Sequence, residues 1–374
     1  MSIIIGGDIV PSSSNCDLFK DGDVLTLLGK DLLNYLNDVD YRVFNLETPL
    51  TNVINPIDKC GRALRADGSA IFGLKKMGVD LFTLANNHIM DQGNDGLVDT
   101  VDLLNENKIN YLGAGYKLEQ ARQSIIVEVK GKKIGFYACV EHEFSFAGKE
   151  IPGANPFDAL ESFDHVFELH KKCDFVAVLY HGGKEHYRYP SPELQRVCRK
   201  FIQKGANLVI CQHSHCIGSE EKYDNGTIVY GQGNFLFDDC KGPFVQSSLL
   251  VKLTDELSVE YVPLVKAENG VRLALNEAAG CILSEFKERS EKIKQKNFIE
   301  DEYKNFAKKM LKGYMLTCSG YSHKPFLRFL NKLSGNYLSK LFVNAYKKKE
   351  LLAIRNYIEC EAHRELFIKG LKND

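Results

Sequence analysis

Short apolar runs alternate with helical patterns over the first 180 residues of the chain. A short apolar run predicts a buried strand, whereas apolar residues that recur every three or four positions predict an amphipathic helix. The predicted strands are Ile3–Ile5, Tyr41–Leu46, Asp80–Ala85 and Phe175–Tyr180, and Gly131 between Ser124–Val129 and Lys133–Val140 predicts a hairpin. The predicted helices are Leu25–Leu36, Ile71–Met77, Leu97–Asn107, Phe157–His170 and Pro192–Lys204. This alternation is typical of an α/β fold.

The pattern changes twice toward the C-terminus. Between residues 208 and 262 strands predominate, and from Glu285 onward every pattern is helical. We therefore expect a domain of residues 1–280 followed by a helical region of residues 281–374. The additional predicted strands are Leu208–Cys211, Thr227–Tyr230, Ser247–Leu253 and Leu257–Val262.

Charge divides between the same two parts. The 374 residues include 48 Lys and Arg and 49 Asp and Glu, for a formal net charge of -1, and their 44% hydrophobic content excludes a disordered chain. Residues 285–374 carry 20 Lys and Arg against 11 Asp and Glu, while residues 1–284 carry 28 against 38. The balanced total therefore does not exclude an anionic partner, and the basic region is where we expect one.

The most basic stretch is amphipathic. No acidic residue lies between Tyr303 and Lys349, and Pro325–Lys349 has the periodicity of one helix with Ser322 as its cap. Such a helix either packs its apolar face on the first domain or attaches peripherally to an anionic membrane surface or a partner complex. No nucleic-acid-binding motif accompanies the charge, so we expect no nucleic acid partner.

Cysteine usage and the N-terminus bear on the compartment. The eleven cysteines are odd in number and form no C-x-x-C pair, which favours free thiols in a reducing compartment. The first residues carry no basic n-region, and no stretch reaches the ~18 apolar residues that span a bilayer. We therefore expect a cytoplasmic protein, peripheral at the inner membrane face if the basic region attaches there.

Metal-binding side chains follow the predicted strands. Ligands of open α/β sheets bind at the carboxyl ends of strands, so these side chains can converge, although each alone is at least as typical of a turn or a core. Imidazoles with carboxylates suit Zn, Mn or Fe, and a bridging carboxylate can hold two ions ~3.5–4 Å apart. The sequence therefore predicts one or two divalent ions. The strand-end residues are Asp8, Glu47, Asn86, Asn87, His88, His181, His213 and His215.

His88 is the candidate general acid. A histidine beside an asparagine ligand is placed to protonate a leaving group, and Asp91 can hold the tautomer of the ring. The prediction for both residues depends on the metal ligands converging nearby.

Seven segments, five of which contain these residues, resemble the CapA proteins of poly-γ-glutamate capsule biosynthesis, which look like calcineurin-type metallophosphoesterases. The resemblance covers about residues 3–240. It implies a four-layer α/β/β/α sandwich, to which the helical region adds an all-α C-terminal appendage. The segments are Gly7-Asp8, Asn45–Thr51, Leu84–Gly93, Gly113–Gly115, His181–Glu185, Gly205–His215 and Tyr230–Asp238.

The resemblance also implies roles for individual residues. The implied ligands are Asp8 and His215 for one ion, Glu47 as the bridge, and Asn87, His181 and His213 for the other ion. His88, with Asp91 as partner, would act on the leaving group. Lys59, Arg65 and Glu185 are candidate substrate-binding residues, and the two cations among them would meet the oxygens of an anionic phosphorylated or polymeric substrate. Solvated loop charges are the alternative interpretation of the two cations.

Three positions depart from the family pattern. Val10 stands where classical phosphoesterases have the histidine of Asp-x-His, Glu47 replaces an aspartate, and Gly182 replaces a tryptophan. The first two departures would weaken one metal site, so the centre binds either two ions or one.

Two functions follow from the resemblance. The first is a metal-dependent phosphoesterase-like hydrolase in capsule or cell-envelope polymer biosynthesis, with poly-γ-glutamate or polysaccharide as the polymer. The second is a non-hydrolytic metal-binding accessory subunit of a polymer synthase or export complex. A ligase has no support, because the chain has no phosphate-binding P-loop.

Overall fold

The computed structural model describes residues 1–242, 244–320 and 324–371. The chain forms two compact units, Met1–Glu300 and Asp301–Asp374. The strands all belong to the first unit, and they are β1 Ile3–Ile9, β2 Tyr41–Leu46, β3 Leu81–Thr83, β4 Asn110–Leu112, β5 Ala114–Gly115, β6 Ile125–Val129, β7 Lys132–Val140, β8 Gly153–Ala154, β9 Phe175–His181, β10 Leu208–Gln212, β11 Glu220–Tyr223, β12 Gly226–Val229, β13 Ser247–Leu253, β14 Val259–Ala267 and β15 Gly270–Leu273.

The strands form two large mixed sheets and one small sheet. The first has seven strands in the order β15-β14-β13-β1-β2-β3-β4, in which β1 to β4 are parallel. The second has six strands in the order β11-β12-β10-β9-β7-β6, in which β7, β9, β10 and β12 are parallel. The small sheet pairs β5 with β8. The parallel strands of each large sheet therefore end at a common edge, where ligands of such sheets bind.

Helices cover the outer face of each large sheet. Two core clusters show this, because one joins the first sheet to α1 to α4 and another joins the second sheet to α6 and α7. The helices of the first unit are α1 Cys16–Asp21, α2 Val24–Asn37, α3 Ile71–Lys76, α4 Gly93–Glu106, α5 Leu118–Ala121, α6 Ser162–His170, α7 Pro192–Gln203 and α8 Asn276–Lys292, and α9 Phe298–Cys318 continues into the second unit.

The two large sheets pack face to face. Side chains alternate between the faces of a strand, so Ile3 and Ile5 of β1 point into the core between the sheets while Ile4 points to the helical layer. Ala177 of β9 enters the same central core, and Val178 faces the helices on the other side. Strands buried on both faces explain the continuous apolar runs in the sequence. The predicted four-layer α/β/β/α sandwich is confirmed.

Among the predicted elements that differ in extent, two begin later in the chain than expected. The helix predicted over Phe157–His170 begins only at Ser162, because Phe157 donates its N–H to Val140 O at 2.8 Å and continues the edge of the second sheet. The strand predicted from Leu257 begins at Val259, because Leu257 occupies a turn with φ of 59°. Hydrophobic periodicity detects neither the hydrogen bond of Phe157 nor the turn at Leu257, since both are features of the backbone.

Helix α8 packs on the sheets of the first unit. Phe286 joins the core between the sheets, and Arg289 Nε donates to Gly218 O at 2.8 Å. Glu220 N donates to Ser290 Oγ at 2.7 Å. The compositional boundary at residue 280 falls inside this helix, and the compact unit continues to Glu300.

After α9, the described residues of the second unit form several short helices rather than a long one. The single helix predicted over Pro325–Lys349 is wrong, because Gly335 and Asn336 adopt left-handed φ values of 59° and 67° that end a right-handed helix. Pro325 does lie at the start of α10, whereas the predicted cap Ser322 lies outside the described residues. These helices are α10 Pro325–Leu333, α11 Tyr337–Asn344, α12 Lys348–Glu359 and α13 Glu361–Leu371. No described helix is both long and apolar enough to cross a membrane.

Candidate metal centre

Asp8 lies near the carboxyl end of β1 and is buried. Asn45 on the neighbouring β2 donates from Nδ2 to Asp8 Oδ1 at 2.7 Å, which orients the carboxylate. A Cβ at Gly7 would lie 2.0 Å from Gly233 O, so glycine at position 7 is what lets these two segments approach. The Phe235 N–H then bonds to Asp8 O at 3.0 Å and fixes the loop beside the strand end.

Glu47 follows β2 and has an exposed fraction of 0%. Neither of its carboxylate oxygens accepts a hydrogen bond among the described residues. Burial, together with the neighbouring Asp8 carboxylate, raises the pKa of Glu47 to about 8. A buried carboxylate without donors is costly, and a bound cation removes that cost. Glu47 therefore fits a metal ligand better than a structural residue.

His181 ends β9 and faces Glu47 and Asn87 with one ring nitrogen. Its Nε2 lies 3.1 Å from Glu47 Oε1 and 3.1 Å from Asn87 Oδ1, and its Nδ1 lies 3.3 Å from Asn45 Nδ2. Burial lowers the pKa of His181 to about 3, so the ring is neutral. The other end of the Asn87 amide is held by Glu143, because Nδ2 donates to Glu143 Oε2 at 2.7 Å. The amide oxygen of Asn87 is thereby turned toward His181.

His213 and His215 follow β10 in a loop with positive φ values of 81° and 54°. Burial lowers the pKa of His213 well below its usual value, and its Nδ1 is buried without a partner among the described residues. His215 Nδ1 donates to Asn234 Oδ1 at 2.8 Å and lies 3.5 Å from Asp8 Oδ2. Although burial opposes it, the charges of Glu47 and Asp8 raise the pKa of His215 well above its usual value.

These side chains form two groups of buried ligand atoms that share one carboxylate. Asp8, Glu47 and His215 form one group, and Glu47, His181 and His213 form the other. The ligand atoms of each group lie within 4.8 Å of one another. Each group can hold a divalent ion, with Glu47 between them. The resemblance implies the same division of these five residues, and Asn87 Oδ1 lies beside the second group, 3.1 Å from His181 Nε2.

His88 lies beside this centre in a hydrogen-bonded chain. Its Nδ1 is 2.5 Å from Asp91 Oδ2, so with Asp91 ionised this nitrogen donates, and Leu64 N donates to the same oxygen at 2.6 Å. Lys59 Nζ bonds to the other Asp91 oxygen at 2.7 Å and lies 3.3 Å from Asn87 O. The predicted pairing of His88 with Asp91 is present.

A cavity of about 340 Å³ opens in front of His88. Lys59 and Glu185 line it, as expected of substrate-binding candidates, but the Lys59 side chain is 3% exposed and its ammonium is bonded to Asp91. Arg65 is exposed, does not line this cavity and donates to Thr51 O at 3.1 Å. The structure therefore brings Lys59 and Glu185 to the centre and leaves Arg65 away from it.

Three supporting residues have no role in the sequence analysis. Asn45 orients Asp8, and Asn234 orients His215. The two asparagines lie inside segments that resemble the CapA proteins, and this position was the signal by which the sequence could have identified them. Glu143 orients Asn87 and lies in no matched segment. Only the folded chain brings Glu143 and Asn87 together.

Curated relatives match about half of this chain. A capsule biosynthesis protein CapA of Bacillus anthracis is 29% identical over 213 residues, which are 54% of this chain and 52% of that protein. A PGA biosynthesis protein CapA of Bacillus subtilis is 32% identical over 205 residues, 53% of each. The match spans about half the length of these curated relatives.

Among solved structures, a phosphatase of Mycoplasma pneumoniae has a TM-score of 0.44 and 15% identity, covering 72% of this chain and 94% of that one. The family described as bacterial capsule synthesis protein PGA_cap matches residues 2–239, which include every residue of the two ligand groups. The resemblance to CapA proteins is thereby confirmed, and the chain belongs to the PGA_cap family of bacterial capsule synthesis proteins.

Proposed function

We propose that this protein is a divalent-metal-dependent phosphoesterase-like hydrolase that acts in the biosynthesis of a capsule or cell-envelope polymer. The observation that carries the proposal is Glu47, a fully buried carboxylate that belongs to both ligand groups and whose two oxygens accept no hydrogen bond among the described residues. The family supports the biological context. The substrate class we propose is an anionic phosphorylated precursor of that polymer, which is poly-γ-glutamate or a polysaccharide.

The proposed ligands for one ion are Asp8, Glu47 and His215, and those for the other are Glu47, Asn87, His181 and His213. Mn, Fe and Zn all suit this set of nitrogen and oxygen donors. Ions bound there supply Lewis-acid activation of a phosphoryl oxygen and of water.

His88 is the proton donor in this proposal. Asp91 accepts from Nδ1, which leaves Nε2 as the ring nitrogen available to the cavity in front of it. The positive charge of Lys59 balances Asp91, so that Asp91 orients the ring without taking its proton. A proton at Nε2 then passes to the leaving oxygen.

The test combines elemental analysis with a panel of phosphomonoesters and phosphodiesters in Mn, Fe and Zn. We expect His213→Ala to lose one ion per chain and to lose phosphoesterase activity. His88→Ala should keep both ions and lose activity about 10²- to 10⁴-fold, as expected for a general acid. His363→Ala, at an exposed position of α13, is the matched control. Unchanged phosphodiesterase activity in both His88→Ala and His213→Ala contradicts the mechanism.

A non-hydrolytic accessory subunit of a polymer synthase or export complex is the second candidate. The observation that favours it is Val10, which is buried beside the centre where an additional imidazole would strengthen one ion site. One ion or none per chain, with no turnover of any phosphoester, supports this function. Two ions with turnover exclude it.

We propose a cytoplasmic location at the inner face of the membrane. All eleven cysteines are free thiols, and Cys198 Sγ lies only 3.6 Å from Cys211 Sγ without a bond between them, which suits a reducing compartment. Protease protection in intact spheroplasts supports this location, and digestion of the protein from outside contradicts it.

A further inference from the structure

Helices α10 and α11 expose large apolar side chains. Phe326, Phe329 and Leu333 are 70%, 60% and 69% exposed, and no residue of α10 is buried. Their spacing of three and four residues places them on one face of the helix. On α11, Tyr337 and Leu341 are 59% and 48% exposed and also share a face. Exposed apolar surface of this kind marks an interaction site.

The opposite face of α10 is basic. Arg328 and Lys332 line a groove of about 730 Å³ together with Lys312 of α9 and Lys340 of α11. Among the residues that the structure describes, no acidic side chain lines this groove, and the amide of Asn331 supplies a further polar group. Since the sequence has no acidic residue between positions 303 and 349, this positive charge is not compensated along the chain. The groove is therefore suited to anionic oxygens.

We propose that α10 and α11 bind the surface of a membrane that contains anionic phospholipids. The exposed aromatic and leucine side chains enter the boundary between headgroups and acyl chains, and lipid phosphates occupy the basic groove. Amphipathic helices with Phe and Leu on one face and Lys and Arg on the other lie in the plane of this boundary. Anionic lipids attract the cations, and the attraction decreases with ionic strength.

The exposed face favours a membrane over a soluble polyanion. A soluble phosphorylated ligand or an acidic polymer would be bound by the cations alone and would leave Phe326, Phe329 and Leu333 in water. Anionic lipid accounts for both observations, because it presents phosphate oxygens and an apolar layer to the same helix.

The experiment is co-sedimentation of the full-length protein with vesicles of phosphatidylcholine, alone or with one third phosphatidylglycerol. We expect binding to the anionic vesicles that falls with salt. The triple variant Arg328→Glu/Lys332→Glu/Lys340→Glu should lose at least tenfold in binding. Lys149→Glu/Lys172→Glu/Lys287→Glu has the same change of charge at exposed lysines of the first unit and should keep binding within twofold.

A second variant tests the apolar face. Phe326→Ser/Phe329→Ser should lose at least tenfold in vesicle binding, whereas Phe72→Ser/Leu160→Ser, at positions of the first unit that are 57% and 84% exposed, should bind normally. Circular dichroism and bound metal, measured on every variant, verify folding.

Two outcomes overturn the proposal. One is equal or absent binding to the two kinds of vesicle. The other is binding of inorganic tripolyphosphate or soluble polyglutamate that is lost in the Arg328→Glu/Lys332→Glu/Lys340→Glu variant while vesicle binding is absent throughout, which assigns the groove to a soluble polyanion.

Discussion

Replacing Lys59 by methionine tests whether this cation is part of the structure of the centre or is free for a substrate. Lys59 Nζ lies 2.7 Å from Asp91 Oδ1, and the two side chains are 3% and 0% exposed. Unit charges at this separation attract by about 6 kcal/mol at an effective dielectric constant of 20, and their desolvation offsets much of that. Removing one partner of a buried pair typically costs about 3–5 kcal/mol, because the other charge stays buried.

The expected loss is at the lower end of that range. Asp91 keeps its hydrogen bonds from Leu64 N and His88 Nδ1 after the change, and these compensate part of its charge. We therefore expect Lys59→Met to lower the free energy of unfolding by about 3 kcal/mol. Urea unfolding followed by far-UV circular dichroism measures it. The double variant Lys59→Met/Asp91→Asn should recover about half of the loss, since no buried charge remains uncompensated.

Lys241→Met is the control, because Lys241 is an exposed lysine that lines the same cavity. We expect it to change the free energy of unfolding by less than about 0.5 kcal/mol. In kinetic assays Lys59→Met should lower kcat, since Asp91 without the balancing charge of Lys59 competes for the proton of the His88 ring, and should leave KM nearly unchanged. A loss of less than about 1 kcal/mol in Lys59→Met, with a higher KM and normal kcat, refutes this reasoning and makes Lys59 a substrate-binding cation.

Three further changes have defined outcomes. Glu143→Gln should weaken metal binding in a chelator competition about tenfold, because it loosens the amide that faces the centre, and Glu150→Gln should leave it unchanged. Gly218→Ala should lower the free energy of unfolding by more than about 2 kcal/mol in urea titrations, since its Cβ would lie 1.8 Å from a backbone oxygen. Gly280 lies inside α8 with open space around it, so Gly280→Ala should raise the free energy of unfolding by about 0.5–1 kcal/mol. Burial lowers the pKa of His165 in the folded protein below its usual value. As pH falls through the usual value, the unfolded chain therefore binds a proton at this histidine before the folded protein does. Acidification should therefore destabilise wild type more than His165→Gln, and parallel pH profiles of thermal unfolding would contradict this assignment.

Sequence patterns located the central strands of the first unit well because strands buried on both faces are continuous apolar runs. The run at Phe175–Tyr180 is an example, since one half of its side chains enters the core between the sheets and the other half the core under the helices. The hairpin around Gly131 was equally local, because Lys130 and Gly131 adopt the positive φ values of 49° and 79° that a two-residue turn requires.

The sequence by itself determined which side chains stand at the strand ends, because each follows its own strand within a few residues. Only the tertiary structure decided how the side chains of the site combine. Glu47 belongs to both ligand groups, Lys59 forms an ion pair with Asp91, and Arg65 lies away from the cavity. It also divided the basic C-terminal stretch into α10, α11 and the start of α12. The physical reason is that periodicity records the burial of single residues, whereas a charge pair or a shared ligand depends on atoms that folding brings together from distant parts of the chain.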